Sequence, residues 1–241
     1  YTMITATTAY NNFIGFTVFN FLLPHVEQQA LYDRCVAATN AGGGFSASGP
    51  GTPNYEVVKA YLCPSESTPG NGRGAHDGIG GPTTWGVGHY AANYFVFGNP
   101  LATSDALAMQ GSNNLAKSFP DGLSNTIFFT ERYGNCTNTG STSSVYTNLW
   151  SDSTNLWRPV YCLNNTSRAW TAAGYPQCAK FQVKPNWFTG CDTSRAQSPH
   201  AGGIVVALGD GSVRFVSANI SDITWGNVND PRDGTVLSSD W

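Results

Sequence analysis

Between Gly203 and Ser217 the chain reads Ile204-Val205-Val206-Ala207-Leu208, then Gly209-Asp210-Gly211-Ser212, then Val213-Arg214-Phe215-Val216-Ser217. Two strand-favouring runs flank a Gly-Asp-Gly turn, which supplies the positive φ a tight hairpin needs. A two-stranded hairpin is marginal by itself, so this segment commits the chain to a larger sheet with a buried face. Arg214, alternating with Val213 and Phe215, implies one solvated face on the second strand.

Helical signals are few. Leu23 to Tyr32 reads as a short helix with Pro24 in its first turn, where a missing N–H costs little. Before it, the aromatic run Phe13 to Leu23 reads as a buried strand entering that helix; Gly15 and Asn20 interrupt it, and it is too short to span a bilayer. Tyr55 to Cys63 is a short helix or strand with Val57, Val58 and Tyr61 inward, and residues 85–98 suit a strand. Asp121-Gly122 is a turn, and Asn125 to Glu131 is a strand. Gly/Pro/Ser/Thr-rich loops fill 41–54, 64–84 and 135–156. With no fixed-period repeat, these features predict one α+β domain over 1–241: an antiparallel sheet, a short N-terminal helix and long loops.

Charged residues make up 11% of the chain, against about 25% in an average soluble protein. Aromatics at 13% and a net charge of -3 argue for an ordered domain rather than disorder. Lys59, Arg73, Lys117, Arg132, Arg158 and Arg168 are scattered, with no basic stripe for nucleic acid and no polybasic cluster for anionic lipid. Cys35, Cys63, Cys136, Cys162, Cys178 and Cys191 form no C-x-x-C. An even count without metal spacing predicts three disulfides and an oxidising compartment. Proximity in sequence pairs Cys35 with Cys63 and leaves the other four to pair among themselves. Any export signal would lie upstream of Tyr1.

His200, Asp210 and nearby Ser198 invite a catalytic reading, but strand geometry opposes it. Ten extended residues at ~3.3 Å each separate His200 and Asp210 by roughly 30 Å, far beyond the reach of a base and its orienting acid. Asp210 is expected as a turn residue and His200 as a hydrogen-bonder at strand entry. No G-x-S-x-G elbow, H-E-x-x-H helix or phosphate-cradling loop is present. His25, His76 and His89 are dispersed; His76-Asp77 beside His89 offers only a sparse ligand set for a transition metal. Asp230-Pro231-Arg232-Asp233-Gly234 places two carboxylates on a turn suited to calcium, though an ordinary Asp-Gly turn accounts for the same residues. Tryptophans 85, 150, 157, 170, 187, 225 and 241 are expected mainly as core anchors, with a sugar-stacking platform as the alternative. Asn135, Asn164, Asn165 and Asn219 begin Asn-x-Ser/Thr sequons and are expected on surface loops.

His200 and Asp210-Gly211 also form an H-x9-DG pattern. Other blocks accompany it: Leu22 to Tyr32 resembles LLPxxEQQxLY, Val58 to Ser65 resembles VKxxLCPS, and Tyr90 to Asn93 resembles YxxN. Asp121 to Glu131 resembles DGxSNTIxxxE, and the closing Ser239-Asp240-Trp241 resembles a terminal SDW. Together they resemble a bacterial family of prepilin-like secreted proteins with a C-terminal H-x9-DG domain, related to type II secretion pseudopilins. The prepilin leader, the long apolar helix and the stretch that follows it in that family precede the point where this sequence starts. The resemblance implies a pilin-like globular head and a non-enzymatic, structural subunit of an extracellular or cell-surface assembly. It would partner chiefly with copies of itself, and the aromatics Tyr10, Phe13, Phe16, Phe19 and Phe21 would serve as an inter-subunit strand. The alternatives are a surface glycan-binding module and a secreted hydrolase. The hydrolase reading requires a pocket containing His76, His89 or His200 within hydrogen-bond reach of a carboxylate or serine.

Overall fold

A computed structural model describes residues 16–40, 50–74, 85–101, 111, 113–141, 145–152, 157–163 and 177–241. Tyr10, Phe13, His76, Asp77, Asn164, Asn165 and Trp170 lie outside the described residues.

The fold is α+β. Its N-terminal part is helical earlier than the aromatic composition suggests. Helix α1 spans Val18–Leu22, a 3₁₀ turn follows over Leu23–Val26, and helix α2 spans Gln29–Asn40. The expected strand over the aromatic run gives way to a cap: the Thr17 hydroxyl accepts the Phe19 N–H, and the Asn20 side chain accepts the Thr17 N–H in return. This reciprocal capping satisfies donors that a helix start leaves open. Phe19 and Leu23 then enter the core, while Phe16 packs edge-on to Phe21 and Tyr32. The inter-subunit strand expected of the aromatics is corrected for Phe16, Phe19 and Phe21, which serve the chain's own packing; Tyr10 and Phe13 lie outside the described residues. Within Tyr55 to Cys63 the structure forms one 3₁₀ turn, Lys59–Tyr61, after another at Pro53–Tyr55; Val58 and Tyr61 are buried and Val57 is half-buried.

Five strands form the main sheet. They are β1 (Tyr90–Asn93), β2 (Ile127–Glu131), β5 (Val160–Tyr161), β8 (Gly203–Leu208) and β9 (Val213–Ser217), in the order β5-β1-β2-β8-β9. Two small ribbons accompany it: β3 (Asn135–Cys136) with β4 (Tyr146–Thr147), and β6 (Gln182–Val183) with β7 (Gln197–Ser198). The sheet is mixed, not purely antiparallel, because β5 runs parallel to β1, as β6 does to β7. Residues 85–98 are strand only over β1, since Asn93 caps a short helix α3, Tyr94–Phe97.

The β8–β9 hairpin forms as its residues dictate. Gly211 adopts φ +86°, its N–H reaches the Leu208 carbonyl, and Asp210 accepts both the N–H and the hydroxyl of Ser212. Gly203 is needed for close approach, since a Cβ there would fall 2.1 Å from the Val216 carbonyl oxygen. Register pairs Arg214 with Val206 and Val216 with Ile204, which places Val213 and Phe215 on the opposite face; Val213, Arg214 and Phe215 are all exposed, and of the strand only Val216 is buried. Arg214 lies over the Trp241 ring, 4.3 Å from its centroid.

Strand β2 contains a bulge, because Ile127 opposes Leu208 and Phe129 already opposes Ala207. In an unbroken strand Glu131 would share the face of Ile127; the inserted residue turns it to the other face.

The core runs from Phe19 and Leu23 through Tyr61, Trp150 and Tyr161 to Trp225 and Val228. Trp225 lies on helix α4, Asp222–Asn229. The Ser221 hydroxyl caps α4, and Asp240 accepts the Ser221 N–H and the Thr224 hydroxyl. Those two hydrogen bonds hold the Asp240 carboxyl down to about 2.

The cysteines pair as Cys136–Cys191 and Cys162–Cys178. The expected Cys35–Cys63 bridge is not formed: both are free and buried. Cys35 sits in α2 beneath the Asn20 amide, whereas Cys63 faces Glu131. Nearness in sequence does not aim two side chains at each other.

Candidate functional site

Glu131, at the end of β2, is the centre of a buried polar cluster. Its side chain is 3% exposed. The Oε1 atom lies 2.8 Å from His200 Nε2 and 3.7 Å from Cys63 Sγ. The Oε2 atom accepts the Ser198 hydroxyl at 3.2 Å and the Val205 N–H at 3.0 Å. The His200 backbone N–H returns to Ser198 Oγ. Five residues from the loop after Tyr61, from β2, β7 and β8, and from the turn before β8 thus meet at one carboxylate.

A second buried pair flanks it. His89 Nε2 is 2.9 Å from Glu66 Oε2, and His89 Nδ1 is 3.1 Å from the Cys63 backbone nitrogen. Nδ1 accepts the Cys63 N–H, and Nε2 faces the carboxylate. Arg132, next along from Glu131, is fully buried and directs its guanidinium to the carbonyls of Val160 and Thr193. Burial pulls its pKa down to about 9. Burial also raises the Cys63 thiol, with Glu131 adding to the effect.

These placements change the meaning of H-x9-DG. His200 and Asp210 fall at opposite ends of β8 and take separate partners. Asp210 caps its own turn, while His200 engages Glu131. His200 is thus tied to a buried carboxylate instead of being a solitary strand-entry residue. The geometric condition for a hydrolase is met in part, since His200 and His89 each touch a carboxylate. Ser198 is fully buried, and its hydroxyl is directed to Glu131 instead of an imidazole. Chemically, the cluster can bridge distant segments and ligate a cation.

The calcium candidates lie elsewhere. Asp230 accepts the Arg232 N–H and Asp233 the Thr235 N–H, while Asp121 faces them by accepting the Gly234 N–H. Burial raises the carboxyls of Asp121 and Asp230, and the mutual repulsion of the three aspartates adds to it. Trp85, Trp150, Trp157 and Trp225 are core residues, and Trp187 and Trp241 are partly buried against the protein. Asn135 is 1% exposed with its amide on the Pro69 carbonyl, so that sequon is not on the surface as expected.

Residues 3–222 match the family described as a protein of unknown function, DUF1559. The chain belongs to this family. No curated protein and no solved structure matches it. The match takes in Cys63, Glu131 and His200, so the cluster lies wholly within the DUF1559 region. Each of the three occurs in a different sequence block: Cys63 in the LCPS block, Glu131 ending the SNTI block, and His200 opening H-x9-DG. Read singly, Cys63 looked like half a disulfide and Glu131 like the end of a strand. The common signal is one chemically capable residue in each block.

Proposed function

We propose that this chain is a structural subunit of an extracellular or cell-surface pilin-like assembly, built from copies of itself. The observation that carries the reading is β9. It ends the main sheet, pairs on one side with β8, and among the described residues has no strand on its other side. Val213 and Phe215 are 69% and 53% exposed on it. An open edge with apolar side chains is a template for strand addition, and the charge that would discourage it, Arg214, is stacked on Trp241. A low density of surface charge keeps repulsion between subunits small. The disulfides fit an oxidising, exported setting. The H-x9-DG and pseudopilin resemblance agrees with the same role.

The test is assembly itself. Electron microscopy and sedimentation of the purified chain should show ordered polymers that Phe215→Lys with Val213→Lys prevents while leaving the monomer folded. A chain that stays monomeric at high concentration, or a double variant that still assembles, would overturn the proposal.

A further inference from the structure

We propose that Cys63, Glu131 and His200 form a binding site for a thiophilic divalent transition metal, of which zinc is the representative. The three ligand atoms, Cys63 Sγ, Glu131 Oε1 and His200 Nε2, all lie within 4.8 Å of one another. Around a tetrahedral zinc with Zn–S of about 2.3 Å and Zn–N and Zn–O of about 2.0 Å, sulfur and oxygen stand about 3.5 Å apart, and nitrogen and oxygen about 3.3 Å apart. The corresponding separations here are 3.7 and 2.8 Å. Opening the His200–Glu131 contact by about half an ångström, and setting Cys63 Sγ and His200 Nε2, which lie within 4.8 Å, at about 3.5 Å from each other, are the side-chain adjustments that accommodate the ion.

Second contacts hold the ligands in place. Ser198 Oγ and the Val205 N–H secure Oε2 of Glu131, which leaves Oε1 toward the thiol and the imidazole. Such partners orient a ligating carboxylate and tune the metal. The Cys63 backbone is anchored by His89, itself held by Glu66. Charge also balances: one thiolate and one carboxylate neutralise a divalent ion, so binding leaves no net charge in a buried site. The thiol proton departs to solvent on binding, and affinity therefore rises with pH. A thiolate ligand selects zinc, cobalt or similar ions over calcium and magnesium. His200 is the most open of the three, its side chain 33% exposed, so the ion enters from that side. Three protein ligands leave a fourth position for water or another ligand, as in open zinc sites.

The experiment is a titration of the whole chain with Co²⁺ under argon, after treatment with chelator and with its disulfides intact. Saturation near one equivalent is expected, with a thiolate-to-cobalt charge-transfer absorption and competition by Zn²⁺ but not Ca²⁺. Cys63→Ser should abolish that absorption, and His200→Ala should weaken binding at least tenfold. Because Glu131 variants carry a folding cost, His200→Ala, at a partly exposed position, is the informative ligand variant. Zn²⁺ should raise the Tm of the unaltered chain but not that of Cys63→Ser. No charge-transfer absorption, or a Zn²⁺ shift that survives in Cys63→Ser, would overturn the site. Neither outcome depends on whether the chain polymerises.

Discussion

His200 Nε2 and Glu131 Oε1 stand 2.8 Å apart, joining the turn before β8 to the end of β2 across 69 positions of sequence. The same carboxylate accepts the Val205 N–H, the Ser198 hydroxyl and the Cys63 thiol, so its loss strands four partners at once. Glu131→Ala should cost about 2–4 kcal/mol, since breaking a buried charged network leaves polar groups unpaired. His200→Ala should cost about 1–2 kcal/mol, because Glu131 keeps its other donors and water reaches the vacated position. Urea unfolding of the two variants measures both. Equal costs would show that Glu131 does not organise the cluster.

Two of the six cysteines should be thiols. Alkylation in denaturant followed by intact-mass measurement should add two adducts without reduction and six with it. In the native state Cys35 should resist alkylation across mild alkaline pH, because burial lifts its thiol to about 12 and leaves almost no thiolate there. Four adducts after reduction-free denaturation, or none, would contradict the assigned pairing.

How much of this was legible beforehand depended on the range of each interaction. The hairpin was readable because Gly209-Asp210-Gly211 and its flanking β-branched runs are local, and local geometry decided it. Helix α1 was missed because Phe and Val favour strands, while the deciding feature was a capping exchange between Thr17 and Asn20. On β9 alternation gives two faces without saying how far each is covered: the register sets Arg214 and Val216 on one face, yet only Val216, opposite Ile204, is buried, while Val213, Arg214 and Phe215 all stay exposed at the sheet's edge. The bulge near Phe128 had no sequence mark, yet it sets where Glu131 points. For the cluster, Cys63, Glu131 and His200 were each visible, but a contact spanning 137 positions from Cys63 to His200 depends on how the sheet orders its strands, which no local pattern encodes.

Asp230→Asn should stabilise the protein at neutral pH. Burial raises the Asp230 carboxyl, and Asp233 and Asp121 add repulsion. A carboxyl with a folded pKa above its unfolded value destabilises the native state while ionised, and that deficit shrinks as pH falls through the raised value. Asparagine retains an acceptor for the Arg232 N–H and removes the charge. The gain should be below about 1 kcal/mol, because the group is partly open to water, and should vanish in acid below the ordinary aspartate range. Paired unfolding curves at neutral and acidic pH test it; a gain that persists unchanged in acid would rule out the electrostatic cause.

The two disulfides should differ in worth. Cys136–Cys191 joins residues 55 apart and Cys162–Cys178 joins residues 16 apart. Closing a longer loop removes more freedom from the unfolded chain, which gives about 4 kcal/mol for the first and about 3 kcal/mol for the second. The first also sits in its own small cluster with Tyr133 and Trp187, so its loss frees the segment around β3 as well. Replacing each pair by alanines and measuring urea midpoints gives the order. If removing Cys162–Cys178 costs the more, loop entropy is not what distinguishes them, and contacts around Cys162, buried against the main core with Tyr161, carry the difference.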